Sequence, residues 1–116
     1  MAYHRGVPTY EAESRFFAQY QSLSREDRKL FRDARREFTT ALLEYEARGR
    51  RGVPRFPKRL GIKPLVGKRN VMEFRWAKDG RCTWRYGAPR KPGMYHIVWR
   101  LIGTHGIYDE EMHRRD

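Results

Sequence analysis

Two segments in the second half of the chain alternate polar and apolar side chains, and their polar positions are rich in arginine. Residues 71–76 (VMEFRW) and 81–86 (RCTWRY) follow the two-residue period of a strand with one buried face. Like charges on neighbouring strands are destabilising unless they are neutralised, and phosphate groups can neutralise them. The polar face therefore predicts contact with phosphates. Its arginines are Arg75, Arg81, Arg85 and, from a third strand further on, Arg100.

The charge of the whole chain indicates the same kind of partner. Its 116 residues include 26 Lys and Arg against 14 Asp and Glu, which gives a formal net charge of +12. Residues 55–100 contain 13 basic and 2 acidic side chains, so nearly all of the excess lies where the arginine-rich segments lie. This distribution predicts a polyanionic partner, although charge alone fits any nucleic acid.

Two helices are predicted in the first half of the chain. In residues 12–23 the apolar side chains recur at helical spacing. Ser24 precedes a second amphipathic segment, residues 25–47, and its hydroxyl is placed to cap that helix, which we expect to end near Gly49. The first apolar stripe consists of Phe16, Phe17, Tyr20 and Leu23, and the second of Leu30, Phe31, Ala34, Phe38, Ala41, Leu42 and Tyr45.

The two arginine-rich segments are predicted to form a hairpin, and its register follows from their faces. A three-residue loop, Lys78 to Gly80, with Gly80 in a left-handed conformation keeps both apolar faces on one side of the sheet. It also creates one favourable pair of opposite charges on the polar face. The predicted pairs are Trp76 with Cys82, Phe74 with Trp84, Met72 with Tyr86, Arg75 with Thr83, and Glu73 with Arg85.

A third strand and a single α+β domain complete the predicted fold. Residues 95–102 form the most apolar strand, so we expect this strand to be central. The helical hairpin should pack on one face of a small, twisted, mostly antiparallel sheet, within one domain spanning residues 1–116. Residues 49–70 are predicted to be a basic connector, and residues 110–116 a frayed tail. The buried face should hold Trp76, Trp84, Trp99 and the single cysteine, Cys82.

Several functional classes are disfavoured by the sequence. One cysteine cannot form an internal disulfide or a site of several thiolates, and the histidines lack ligand spacing, so we predict no metal site and no cofactor. The spacing from Gly61 to Gly67 is one residue longer than in a nucleotide-binding P-loop, and Arg69 stands where that motif has Ser or Thr. This segment is therefore not predicted to bind a nucleotide. No apolar run is long enough to span a membrane, and the first residues lack a secretory signal. We therefore expect a cytoplasmic protein with no membrane partner.

The order of these elements and several local motifs resemble the RelE/ParE toxin superfamily of bacterial toxin–antitoxin systems. The resemblance covers roughly residues 9–109. It implies the α+β fold of RelE-like microbial ribonucleases. It also implies the activity of the RelE branch, whose members cleave mRNA in the ribosomal A site with the RNA's own 2′-hydroxyl as nucleophile, without a metal. The motifs are the hairpin residues Phe17, Tyr20, Leu23, Ser24 and Phe31, IKPLVG at 62–67, VMEFRW at 71–76, DGR at 79–81 and IGTHGIY at 102–108.

The resemblance also implies roles for individual residues. Arg81 matches the arginine that the family places on the scissile phosphate, and His105 and Tyr108 match polar residues that follow the last strand. An ordinary histidine has a pKa of about 6.5, which suits proton transfer at neutral pH and makes His105 the candidate acid or base. Tyr108 would stack on a base or donate a hydrogen bond to the RNA. The residues expected to bind RNA or phosphate nearby are Lys63, Lys68, Arg69, Arg75, Arg85 and Arg100.

Three functional classes stay open at this point. The first is an RNA endonuclease, favoured by Arg81 and His105, with mRNA and the ribosome, including its rRNA, as partners. The second is a ParE-like toxin that inhibits DNA gyrase, and the third is a non-catalytic RNA- or ribosome-binding protein. Either kind of toxin implies a cognate antitoxin as a further partner. Glu73 could act as a base, but its predicted pairing with Arg85 favours a structural role.

Overall fold

The computed structural model describes residues 8–115 and contains three helices and a five-stranded mixed sheet, so the predicted α+β class is confirmed. The helices are α1 (Ser14–Ser22), α2 (Arg25–Ala47) and α3 (Gly106–Met112); the strands are β1 (Thr9–Ala12), β2 (Lys63–Pro64), β3 (Met72–Arg75), β4 (Arg81–Gly87) and β5 (His96–Gly103); a 3₁₀ turn lies at Lys58–Leu60. The strand order is β1-β5-β4-β3-β2. Within the described residues only β1 and β5 pair in parallel, so the sheet is mostly antiparallel, as predicted.

The second helix begins and ends where the sequence predicts. The Ser24 hydroxyl accepts a 3.0 Å hydrogen bond from the backbone N–H of Asp27, which satisfies one of the free donors of the first turn. The helix ends at Ala47, two residues before a left-handed Gly49. Across residues 8–115, no helix combines the length and the apolar character that crossing a membrane requires.

Both long helices pack on one face of the sheet, as predicted. The ring centroids of Phe31 and Trp99 lie 5.4 Å apart in an edge-to-face arrangement that joins α2 to β5. Phe17 is 56% exposed and Leu30 is 40% exposed, so these two predicted core residues lie at the surface. Phe17 follows the buried Phe16 and Leu30 precedes the buried Phe31; successive side chains of a helix point in different directions, so Phe17 and Leu30 turn away from the sheet. The core contains Phe16, Phe31, Phe38, Leu42, Phe74, Trp76, Cys82, Trp84, Ile97, Trp99 and Ile102.

The β3–β4 hairpin keeps the predicted faces but not the predicted register. The strands are shifted by two residues, so Trp76 lies beyond the end of the ladder and Glu73 does not face Arg85. Side chains alternate with a period of two, and a shift of two therefore leaves every side chain on its predicted face. The observed pairs are Met72 with Trp84, Glu73 with Thr83, Phe74 with Cys82, and Arg75 with Arg81.

The shift arises because Trp76 folds into the loop instead of extending β3. Its backbone N–H donates to the carbonyl of Gly80 at 3.2 Å, and its indole Nε1 donates to the carbonyl of Arg81 at 2.9 Å. The ring packs directly over Gly80, where a Cβ would lie 2.5 Å from it. Glycine is therefore needed at position 80 for this close approach. The predicted left-handed conformation of Gly80 is wrong, since its φ is not positive.

Replacing Gly80 should destabilise this loop. In Gly80→Ala the new methyl group has to displace the Trp76 ring, and we expect a loss of about 1–3 kcal/mol in the free energy of unfolding. Gly106→Ala is the matched control, because a Cβ at Gly106 would meet no atom within 4 Å. Urea unfolding of both purified variants measures the effect. Equal stability of the two would contradict the packing described for Trp76.

Strand β5 lies between β1 and β4, so β4 is the central strand and the prediction for β5 is wrong.

A bulge also interrupts the alternation of β5. Thr83 pairs with Leu101 while the next residue of β4 pairs with Trp99, which makes Arg100 the extra residue of the bulge. Beyond the bulge Ile102 joins the core under the helices in place of Leu101. The inserted residue thus shifts the alternation of buried side chains along β5 by one position.

Both segments predicted to lack regular structure contain packed elements. The connector includes the 3₁₀ turn and β2, and it buries Leu60 and Leu65. The predicted frayed tail contains the end of α3, where Glu111 is fully buried; residue 116 lies outside the described residues. Helix α3 packs against β4 and β5 on the sheet face opposite the helical hairpin. That face was predicted to contact phosphates, and α3 covers part of it.

Candidate functional site

The turn after β5 and the start of α3 bring His105 and Tyr108 together. His105 directly precedes the first helical residue, Gly106, and already has a helical backbone. Side chains three residues apart on such a backbone lie on one side, and the two ring centroids are 5.7 Å apart. The imidazole is exposed and the phenol is half-buried. The two predicted catalytic side chains thus share one surface.

Tyr108 lies against the Glu73 carboxylate on β3. Burial raises the pKa of Tyr108, and the negative charge of Glu73 and a hydrogen bond to it raise the pKa further, while the Arg81 charge acts in the opposite direction. The phenol is therefore neutral at physiological pH and keeps a proton that it can donate. Tyr108 is suited to hold and orient other groups and cannot itself act as a base.

Glu73 has different neighbours from those predicted. The ladder sets it opposite Thr83 on one side and opposite Lys63 on the other, and the predicted pairing with Arg85 is wrong because of the two-residue shift. The carboxylate is half-buried and next to Tyr108. Without the arginine partner, the argument for a purely structural Glu73 no longer applies, and Glu73 becomes a candidate base.

Arg81 supports the hairpin loop and also contributes to the same surface. Its Nη1 donates to the carbonyl oxygens of Ala77, Lys78 and Gly80 at 3.3, 3.1 and 3.0 Å. The charge of its guanidinium acts on Tyr108. Because the hydrogen bonds that the structure gives Arg81 all come from Nη1, its Nε and Nη2 can still bind a phosphate oxygen.

Arg75 and Lys63 extend the positive charge around this surface. Arg75 stands directly opposite Arg81, and its Nε and Nη2 donate to the carbonyls of Ala77 and Lys78 at 3.4 and 3.2 Å. These carbonyl oxygens partly offset the repulsion between the two guanidiniums. Lys63 is exposed on β2 opposite Glu73. The structure therefore gathers the three predicted catalytic residues, two predicted phosphate-binding residues and Glu73 in one place.

A buried carboxylate, Glu111, anchors α3 and with it the candidate site. Its Oε2 accepts a 2.7 Å hydrogen bond from the Thr83 hydroxyl, and its Oε1 accepts bonds of 3.0 and 2.6 Å from Nε and Nη2 of Arg100. Glu111 is 0% exposed and Arg100 is 3% exposed. The prediction that Arg100 belongs to the phosphate-binding face is wrong, since its guanidinium is buried in this ion pair. Sequence patterns offered no signal for Glu111 beyond its position four residues after Ile107.

Lys68 belongs to the same anchor. Its Nζ donates to the backbone carbonyls of Glu111 and Arg114 at 2.8 and 3.0 Å and lies 3.4 Å from the Glu111 carboxylate. A cation at the carboxyl end of a helix also interacts favourably with the helix dipole. The Lys68 side chain is thus mostly covered and holds the end of α3, whereas a substrate contact was predicted.

The anchor predicts a specific dependence of stability on pH. Burial alone would raise the pKa of Glu111, but the hydrogen bonds from Arg100 and Thr83, with the nearby positive charges, lower it below the ordinary value of 4.5. A carboxyl group with a lowered folded pKa stabilises the protein above its unfolded pKa and loses that contribution as pH falls through the folded pKa.

Glu111→Gln removes the titrating group and keeps a similar shape. The stability difference between the native chain and Glu111→Gln should be constant above about pH 6 and shrink as the pH falls below the unfolded carboxyl value. Urea unfolding at several pH values from neutral to acidic measures it. A difference that stays constant into strong acid would contradict the lowered pKa.

A cavity of about 510 Å³ borders the anchor at Arg100. It does not include Arg81, His105 or Tyr108, so the predicted RNA-binding arginines divide into two groups. Arg75 accompanies Arg81 at the hairpin loop, Arg69 and Arg85 face the cavity, and Arg100 lies in the cavity wall with its guanidinium paired to Glu13 and Glu111. Its lining residues include Glu13, Arg69, Asn70, Met72, Arg85 and Arg100.

The remaining reactive group is the single cysteine. Cys82 is fully buried, as predicted, and burial raises the pKa of its thiol well above the usual value. Within residues 8–115, His, Cys, Asp and Glu side chains form no group of three that could hold a metal ion.

A comparison with solved structures finds a protein with a similar fold. The chain matches a chain in the crystal structure of the E. coli DinJ-YafQ toxin–antitoxin complex, with a TM-score of 0.54 and 14% sequence identity, over 87% of this chain and 96% of the other. No family model matches the sequence, and no curated protein matches it. The protein therefore has the fold of a chain from a toxin–antitoxin complex, in agreement with the RelE-like fold that the sequence resemblance implies.

Proposed function

We propose that the protein is the toxin of a toxin–antitoxin module and acts as a ribosome-dependent mRNA endoribonuclease. The observation that carries this proposal is the convergence of His105, Tyr108, Glu73 and Arg81 on one surface. The fold shared with a chain of a toxin–antitoxin complex supports the same function. The excess of 13 basic over 2 acidic residues between positions 55 and 100 suits a polyanionic substrate.

The reaction is cleavage by the RNA's own 2′-hydroxyl, with a distinct role for each side chain. Glu73 accepts the 2′-hydroxyl proton, and the 2′-oxygen forms a bond to phosphorus while the bond from phosphorus to the 5′-oxygen breaks. His105 donates a proton to the departing 5′-oxygen, which leaves a 2′,3′-cyclic phosphate and a 5′-hydroxyl. Arg81 stabilises the charge that develops on the phosphate oxygens. Tyr108 orients Glu73 and offers its ring to a base.

The proposed partners follow from this activity. The substrate is mRNA on the ribosome, and the exposed cations at Lys63 and Arg75 are placed to contact mRNA or rRNA around the cleaved bond. A cognate antitoxin would hold the toxin inactive in the cytoplasm. The matched structure, a toxin–antitoxin complex, supports a partner of this kind.

A translating extract tests the proposal directly. Purified protein is added to the extract with a reporter mRNA, and the 3′ and 5′ ends of the fragments are mapped. We expect cuts in register with codons, carrying cyclic phosphate ends, that disappear when ribosomes are left out. Intact mRNA would refute the nuclease, and intact mRNA together with inhibited gyrase supercoiling would favour the ParE-like function instead.

A further inference from the structure

We propose that the cavity lined by Arg69, Asn70 and Arg85 is a subsite for one nucleotide of single-stranded RNA, separate from the position of bond cleavage. The proposal deepens the proposed function, since it takes RNA as the ligand. Arg81 and Arg85 are four positions apart on β4, and a strand rises about 3.3 Å per residue, so the cavity lies about 13 Å from the candidate catalytic surface. This places it beside a flanking nucleotide of the same strand.

The composition of the cavity suits a nucleotide. Its volume of about 510 Å³ is within the usual range of ligand pockets. Val71 and Met72 provide an apolar wall for a base, and the guanidiniums of Arg69 and Arg85 can bind phosphate oxygens in a bidentate manner. Apolar surface next to convergent cations is the combination that single-stranded nucleic acid requires.

Two of the three arginines at the cavity have no carboxylate partner among residues 8–115. Glu13 and Arg100 are part of the anchor network, where they pair with each other at 3.4 Å and Arg100 also pairs with Glu111. Arg69 and Arg85, by contrast, take part in none of the ion pairs that the structure gives for residues 8–115. Two positive charges therefore face the cavity, and an anionic ligand would neutralise them.

Asn70 adds a group that can recognise a base. It has a left-handed backbone, with φ of 57°, a conformation that asparagine tolerates better than most residues. Its side chain is exposed at the cavity and carries both a hydrogen-bond donor and an acceptor. The arginines thus supply affinity for phosphate, and Asn70 supplies a means of discriminating between bases.

Binding of an uncleavable RNA tests the subsite without any cleavage. The probe is a fluorescent single-stranded RNA hexamer with 2′-O-methyl riboses, which lack the attacking hydroxyl, and anisotropy gives the affinity over a range of salt concentrations. Arg69→Ala and Arg85→Ala should each weaken binding about tenfold. Each variant should also reduce the slope of log affinity against log salt by about 0.7, because one phosphate is no longer neutralised.

Matched variants separate a subsite from general attraction. Arg36→Ala removes the same charge from the outer side of α2, where the side chain is 78% exposed, and should change the affinity less than twofold. Asn70→Gly keeps the left-handed backbone and removes the amide, so it should reduce the difference in affinity between hexamers of different bases. Arg69→Ala and Arg85→Ala variants that behave like Arg36→Ala would overturn the subsite. So would tighter binding of a glutamate hexapeptide than of the RNA.

The subsite and the nuclease activity can fail independently. A native protein that binds the hexamer through Arg69 and Arg85 but leaves mRNA intact on translating ribosomes keeps the subsite and refutes the cleavage. A native protein that cleaves mRNA, with both variants binding the hexamer as tightly as the native chain, keeps the nuclease and overturns the subsite.

Discussion

His105→Ala and Arg81→Ala are expected to lose almost all mRNA cleavage while still binding the ribosome. Removing a positioned proton donor costs about 10²–10⁴-fold in rate, and removing a group that stabilises developing charge costs about 10²–10³-fold. The imidazole of His105 is exposed and lies against the Tyr108 ring, so its removal should leave the fold intact. The rate of cleavage in a translating extract and sedimentation with ribosomes measure the two properties separately.

Two further variants separate a catalytic effect from a folding effect. His113→Ala removes an exposed histidine from the other end of α3 and should cleave at the native rate. Arg81→Gln retains an N–H donor for the loop carbonyls but has no charge, so it should fold like the native chain and remain nearly inactive. If His105→Ala and Arg81→Gln cleave as fast as His113→Ala, the site has been placed on the wrong residues.

Glu111→Ala should be the most destabilising single change in α3. It leaves the buried Arg100 guanidinium and the Thr83 hydroxyl without their main acceptor, and breaking a buried ion pair in this way costs about 3–5 kcal/mol. Because the same carboxylate holds α3, the turn that carries His105 and Tyr108 should lose its position. Urea unfolding gives the change in stability, and amide hydrogen exchange along α3 shows whether the helix opens.

Glu110→Ala is the matched control, since it removes the same side chain from the adjacent position. Glu110 pairs with Arg15 at 2.9 Å on the surface, where ion pairs contribute little. The decrease in stability should be much smaller than for Glu111→Ala, with exchange along α3 unchanged. Similar decreases for the two variants would show that the buried network does not anchor the helix.

The helices and the strand faces could be predicted because each depends on local pattern. The Ser24 cap is a contact between residues three positions apart, and the strand faces depend on a period of two. The predicted register of the hairpin was wrong because it depends on where one side chain goes. The Trp76 indole donates to the Arg81 carbonyl and its ring packs on Gly80. Together these contacts are more favourable than one further residue pair in the ladder.

The candidate site was only partly predictable for a related reason. Arg81, His105 and Tyr108 were selected by resemblance, and the structure places them together. Lys68 and Arg100 look like surface cations in the sequence, but the buried Glu111 draws both inward. A carboxylate in a charged C-terminal segment gives no sign of burial, because its partners come from β4, β5 and the segment before β3.

The parallel pairing of β1 with β5 has a consequence for how the chain is made. Residues 9–12 pair with residues 96–99, so β1 cannot form this pairing until residues 96–99 have been synthesised. His105 and Tyr108 follow only a few residues later. Closure of the sheet and completion of the candidate site therefore both wait for the segment of residues 96–108, and chains terminated before it carry neither.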